Sequence, residues 1–260
     1  MLDLEQIASY YPEALRPFSR NLVVEYLQHK ILEIIYDADL GEELWFMGGT
    51  AARIVYGNAR FSEDLDFDDR CLESGELDRL AARVVKRMEL EGYTVESREV
   101  HGKAFTSYLR FPGLFHDLGL SGHRQAKVLI KLNAEPQGVD YRPDKVILNR
   151  FDVFIRINVV PIDVLLAQKI AAIFGRRRPM GRDFYDAVFL LGKTEPDYCY
   201  LENKLAIAGA VDLRKRLQEK CDGLDMKALA ADVRPFLFTP GDAKRVLLFR
   251  DYIDSRLPSS

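Results

Sequence analysis

Cysteine and histidine are scarce in this chain of 260 residues: Cys71, Cys199 and Cys221 are the three cysteines, and His29, His101, His116 and His123 the four histidines. An odd number of cysteines at irregular spacing fits the reduced thiols of a cytosolic protein better than a disulfide framework. No histidine stands at metal-ligand spacing from another histidine or from a cysteine, so none is assigned a metal. Long apolar runs are missing as well. With no uncharged apolar stretch near eighteen residues and no charged-then-apolar leader, the expectation is a cytoplasmic protein, neither secreted nor membrane-spanning. Positive charge is not in excess either. A net charge of −3 excludes a general polycationic coat for nucleic acid while leaving room for a local basic cleft.

What is present suffices for a substantial core, with 48% hydrophobic residues, in one large or two modest domains. Leu22, Val23, Tyr26, Leu27, Ile31, Ile34 and Ile35 recur at three- and four-residue steps and predict a helical N-terminal region, 1–40, that braces the rest. Residues 44–47 read as a short strand, followed by a Gly48-Gly49-Thr50 turn, a helix from about Ala51 and a second strand carrying Asp64 and Asp66. Residues 76–91 predict an amphipathic helix closed by Gly92. Residues 94–100 and 106–111 predict paired strands, and 113–124 a loop. The stretch 127–135 predicts a strand with Val128, Ile130, Leu132 and Ala134 on one face and Lys131, Asn133 and Glu135 on the other. Beyond Pro161 only helical periods remain, over 163–177, 182–191, 198–209, 212–221, 226–236 and 242–257. The expected class is therefore α+β: a mixed sheet with flanking helices over 1–160, then a helical portion over 161–260.

The stretch from Trp45 to Asp68 holds most of the chemistry. Alternation along a strand projects Asp64 and Asp66 from one face, where two carboxylates can chelate a hard cation. The Gly-Gly-Thr turn fits either of two readings. Its backbone amides, the Thr50 hydroxyl and the helix N-terminus can cradle a phosphate, or Thr50 can cap the helix while the glycines form a tight turn. A glycine turn after a strand, then a helix, then Asp-x-Asp is more specific than either part. It supplies amides for a triphosphate and carboxylates for one or two Mg²⁺ ions, without the Gly-Lys-Ser/Thr ending of a Walker loop. Farther on, Lys169 sits on an amphipathic helix, and Asp183 and Asp186 share a face of the next one. Lys169 can bind phosphate or merely snorkel from that helix. The run Arg176-Arg177-Arg178 with Arg182 fits a solvated face or a site for phosphates.

Two segments resemble a known family. Gly48-Gly49-Thr50-Ala51-Ala52-Arg53, then Tyr56-Gly57, Arg60, Ser62, Asp64 and Asp66-Phe67, is similar to the first signature of the AbiEii-like nucleotidyltransferases. These have a DNA polymerase β-like fold and include toxins of type IV toxin–antitoxin systems, related to the mycobacterial MenT toxins. Leu165-Leu166-Ala167-Gln168-Lys169-Ile170-Ala171-Ala172, with Arg176, Gly181-Arg182-Asp183 and Tyr185-Asp186, resembles the second. The likeness runs from about residue 20 to 195, and the last helices carry no matching motif.

The resemblance implies Mg²⁺-dependent transfer of a nucleoside monophosphate from an NTP to RNA, with a tRNA 3′ end as acceptor and blocked translation as the result. It implies catalytic roles for Asp64, Asp66, Lys169 and Asp186, with Asp64 and Asp66 as metal ligands. Nucleotide binding falls to Gly48, Gly49, Thr50, Arg53, Ser62, Lys169, Arg182 and Asp183. A cognate antitoxin is the implied protein partner, for which the helices over 198–257 are available. One position departs from the pattern. The family often places a third acid where this chain has Asn133, an amide that can coordinate through oxygen but cannot accept a proton. Glu135, about 7 Å farther along the same strand face, is the other candidate. The departure leaves open a rival reading, a nucleotide- or RNA-binding protein that has lost turnover.

Overall fold

The computed structural model describes residues 2–123 and 125–259; Arg124, at the end of the expected 113–124 loop, lies outside the described residues. The chain divides into two compact units. One comprises Met1–Ala51, Phe61–Gly138 and Pro143–Val160, the other Ala52–Arg60, Val139–Arg142 and Pro161–Ser260.

In the first unit, in chain order, are α1 (Leu4–Ser9), α2 (Ser19–Tyr36), β1 (Leu44–Met47) and the start of α3 (Gly48–Ile54), then β2 (Leu65–Asp69) and α4 (Ser74–Leu90). They are followed by β3 (Glu96–Val100), β4 (Phe105–Pro112), the short α5 (Leu114–Asp117), β5 (Lys127–Ala134), β6 (Asp144–Arg150) and β7 (Val153–Val159). The strands form one mixed sheet in the order β3-β4-β5-β2-β1-β7-β6. Two parallel pairings, β2 with β5 and β1 with β7, sit among antiparallel neighbours. Phe46, Leu65, Phe67, Leu109, Phe111, Val128, Ile130 and Leu132 are buried on one sheet face, the face against which α2 and α4 pack. Period-two alternation puts the intervening polar residues on the opposite face.

The helix expected to brace the rest, α2, lies in the core: its apolar stripe is buried, and so are Glu25, Gln28, His29 and Lys30 on its other sides. Those polar groups are satisfied locally, since Tyr11 donates to Glu25 at 2.9 Å and Lys30 pairs with Glu33 at 2.8 Å. The helix after β1 begins at Gly48, not near Ala51. Gly48 has φ +80°, a conformation open to glycine that turns the strand directly into the helix. Strands β6 and β7 were not expected at all, because β6 is an edge strand left mostly exposed and β7 changes burial pattern midway, so neither shows clean alternation.

The second unit is helical, with α6 (Ile162–Gly175), α7 (Gly181–Leu191), α8 (Tyr198–Leu205), α9 (Ala210–Asp222), α10 (Met226–Val233), α11 (Lys244–Leu247) and α12 (Phe249–Arg256). The expected helix over 242–257 is broken into a 3-10 turn, α11 and α12. Gly181 is the first residue of α7, where a Cβ would stand 1.8 Å from the Leu229 carbonyl oxygen of α10, so only glycine admits this approach. Residues 52–60 group with these helices through a bridge between Arg60 and Leu237 and a 3.3 Å bond from the Phe238 amide to the Ala59 carbonyl. Among the described residues no helix is long and apolar enough to cross a membrane, and the three cysteines are free.

Candidate active site

The carboxylates of the first unit are placed by strand pairing. Antiparallel register sets Met47 opposite Asp66, so the end of β1 and the start of α3 lie beside that side chain. A Cβ on Gly48 would fall 2.3 Å from Asp66 Oδ2; the missing side chain is what admits the carboxylate. Asp64 precedes β2 by one residue and is held by Thr50, whose hydroxyl donates to the Asp64 carbonyl. Thr50 is fully buried, so its hydroxyl anchors Asp64 and offers no surface to a phosphate, contrary to the expected direct contact. The Asp64 side chain lies 3.5 Å from Lys131 Nζ on β5.

Asp66 is flanked by Asn133. The parallel register of β2 and β5 makes the two residues neighbours, and Asn133 Nδ2 donates to Asp66 Oδ1 at 2.9 Å. Thr106 on β4 donates to Asn133 Oδ1 at 3.0 Å. Glu135 is exposed at the end of this strand. Asp68 is the next acid on the same face, but it is buried and committed to the Gln137 amide at 2.8 Å and to Arg70 at 3.3 Å. Among the described residues no three His, Cys, Asp or Glu side chains converge as a metal cage. Asp64 and Asp66 remain half-exposed. Two hard carboxylates with an adjacent amide suit Mg²⁺, which is commonly held by one or two carboxylates and completed by water and substrate phosphate oxygens. Ser62, expected to bind nucleotide, is half-buried, and its carbonyl accepts from Gln28 Nε2 at 2.9 Å.

In the second unit a charged network gathers around Asp186. Arg60 meets it with Nε on Oδ1 and Nη2 on Oδ2, both at 2.6 Å. Asn58 donates to Oδ1 at 2.8 Å, and Lys169 Nζ lies 2.9 Å from Oδ2. Lys169 also lies 3.5 Å from Asp183, and Arg176 Nε 2.6 Å from the same carboxylate. Burial would raise the Asp186 pKa, but the charges of Arg60 and Lys169 outweigh it and hold the group at about 2. Burial likewise opposes the Arg60 charge, and Asp186 more than restores it. Two carboxylates thus face three cations, Arg60, Lys169 and Arg176, leaving one positive charge over. A local cationic surplus of this kind suits a phosphate.

Sequence reasoning joined Lys169, Asp183 and Asp186 correctly in space. Arg60 stands in the first family signature without an assigned role, and Asn58 is marked by no local signal; their partner Asp186 is 126 and 128 residues away. Asp186, expected to be catalytic, has no exposed surface and lies against Lys169 Nζ at 2.9 Å. Arg53 and Arg182 have other partners. Arg53 lies over the Phe238 ring at 4.5 Å and donates to the Asn58 carbonyl at 3.3 Å, while Arg182 lies over Phe236 at 6.0 Å.

The sequence matches the family model described as the nucleotidyl transferase AbiEii toxin of type IV toxin–antitoxin systems over residues 30–247. The chain belongs to the AbiEii family. As an AbiEii protein it is a nucleotidyltransferase, and both the Gly48–Asp66 stretch and the Lys169–Asp186 stretch fall inside the matched span. That span continues through α11, past the point near residue 195 where recognisable motifs end. JHP933 from Helicobacter pylori shares the fold at a TM-score of 0.57 with 18% identity, covering 91% of each chain. A second Helicobacter pylori structure, described as a "putative nucleotidyltransferase", gives the same TM-score of 0.57 and 18% identity over 91% of this chain and 95% of its own. At that identity the likeness establishes the AbiEii protein's fold. No curated protein matches its sequence.

Proposed function

We propose that this AbiEii protein transfers a nucleoside monophosphate from an NTP to a hydroxyl of a cytosolic RNA, the 3′ end of a tRNA, and acts as a toxin by blocking translation. The observation that carries the reading is the pair Asp64 and Asp66, half-exposed beside a glycine-started helix in a chain of this family. In the reaction the acceptor oxygen attacks the α-phosphorus, the bond to the β-phosphate oxygen breaks, pyrophosphate leaves, and the hydroxyl proton passes to solvent. Asp64 and Asp66 would hold Mg²⁺, which when bound neutralises phosphate charge and acidifies the acceptor hydroxyl. Gly48 and Gly49 allow close backbone approach to phosphate. Lys169, held by Asp183 and Asp186, takes phosphate charge. Arg53, Ser62 and Arg182 are assigned to the remainder of the nucleotide.

Incubation with labelled NTPs, Mg²⁺ and total tRNA, comparing wild type with Asp66→Ala, tests the proposal. Label is expected on tRNA with the wild type only; equal labelling by both ends the assigned mechanism. Asn133 favours one other reading, a protein that binds nucleotide or RNA without turnover, because the expected third acid is replaced by an amide bonded to Asp66. NTP binding with no pyrophosphate release selects that reading. A cognate antitoxin is the proposed protein partner for α8–α12, and a small DNA-binding protein encoded next to this chain supports that pairing.

A further inference from the structure

The polar sheet face continues beyond the carboxylates in ordered rows. Asp66 stands beside Asn133, Asn133 beside Thr106, and Thr106 beside Val100. In the next row Arg98 is opposite Tyr108 and Tyr108 opposite Lys131, whose Nζ reaches Asp64 at 3.5 Å. In the third, Glu96 is opposite Arg110 and Arg110 opposite Leu129. With strands about 4.8 Å apart, the row from Arg98 to Asp64 extends roughly 14 Å across the sheet.

These side chains are accessible. Arg98 and Leu129 are exposed; Tyr108, Arg110 and Lys131 are half-buried. Glu96 is engaged by Lys127 at 3.3 Å, and among the described residues neither Arg98 nor Arg110 has an ion-pair partner. Uncompensated arginines are conspicuous in a chain of net charge −3. An open sheet that sets an aromatic ring between cations has the chemistry of a single-stranded nucleic-acid platform: the cations follow the phosphates and the ring stacks on a base. An acidic peptide would use the cations but not the ring. It would also meet Asp64 and Asp66 at the end of the row, where a nucleic-acid strand presents a hydroxyl.

We propose that the row Arg98–Tyr108–Lys131, with Arg110 alongside, is the track that binds the single-stranded 3′ end of the RNA acceptor and leads its terminal hydroxyl to Asp64 and Asp66. The assignment of the acceptor end rests on the nucleotidyl-transfer reading above.

The test measures binding of a fluorescent single-stranded RNA dodecamer to the full-length protein across a salt series, with labelling of total tRNA in parallel. Arg98→Ala combined with Arg110→Ala is expected to weaken RNA binding about tenfold or more and to lower the slope of log Kd against log salt by about 1.4. Tyr108→Leu is expected to weaken it about fivefold or more with the slope unchanged, while Tyr108→Phe, which keeps the ring, binds like wild type. The Kd for a non-hydrolysable NTP analogue serves as the fold control and stays within about twofold, as the altered residues lie outside the nucleotide set. Wild-type affinity for RNA in both weakened variants overturns the track, as does a polyglutamate peptide binding as tightly as RNA and losing affinity equally in the double variant. Transfer to tRNA with an unchanged KM for tRNA in those variants overturns the track while leaving the transferase reading standing. RNA binding through this row with no transfer by the wild type supports the track and removes the transferase reading.

Discussion

Arg60 and Asp186, 126 residues apart in sequence, meet in a bidentate pair with both nitrogen–oxygen distances at 2.6 Å. The two side chains are 1% and 0% exposed. Asn58 and Lys169 join the same carboxylate. A buried pair of this kind is strongly destabilised when half of it is removed.

Asp186→Asn strands the Arg60 guanidinium in the interior and is expected to lower stability by about 3–5 kcal/mol. Arg60→Met with Asp186→Leu removes both charges and should lose much less. Urea midpoints of the two variants decide it. Equal losses would show that the surrounding polar groups, and not the pair, carry the effect.

The same carboxylate predicts an acid sensitivity. Its pKa is about 2 in the folded chain against 3.8 for the free group, so the folded state binds fewer protons and its stabilisation is complete above about pH 4. As pH falls from there towards 2, a contribution on the order of 2 kcal/mol is lost. Urea midpoints at pH 5, 3 and 2 measure it. A slope that stays the same in Asp186→Asn would assign the acid transition to other groups.

Gly48→Ala places a methyl carbon 2.3 Å from Asp66 Oδ2 at a φ of +80°. The backbone strain should cost about 1–2 kcal/mol, and displacement of the carboxylate about 100-fold or more in transfer rate. Melting temperature and labelling rate are read together. A destabilised variant that labels tRNA at the wild-type rate would show that Asp66 does not need its observed position.

Asn133→Asp restores a third acid where the amide now donates to Asp66 Oδ1 at 2.9 Å. In EDTA the two facing carboxylates repel, and stability should fall by about 1 kcal/mol or more. With Mg²⁺ the order reverses: the variant is expected to gain more in melting temperature than wild type and to need about tenfold less Mg²⁺. A Mg²⁺ titration showing no gain over wild type would place the metal away from position 133.

Local pattern was enough for much of this. Alternation marked the buried and polar faces of β5, helical periods marked the helices beyond Pro161, and glycine after an apolar run followed by Asp-x-Asp marked the carboxylates. These signals are short-range, so they survive in sequence. They were weakest where an element is exposed or irregular, as in β6 and β7, because without one buried face there is no period to read.

Taken by itself, then, the sequence determined the class of fold, the family and the identity of Asp64, Asp66 and Lys169 as candidates, since propensity, periodicity and motif spacing all act within a few residues. Tertiary structure alone decided what surrounds them. Register across β1, β2 and β5 set Gly48 and Asn133 against Asp66, and it also aligned Arg98, Tyr108 and Lys131 in one row. Chain folding brought Asn58 and Arg60 to Asp186. Such pairings depend on strand order and on helix packing over more than a hundred residues, which no local spacing encodes.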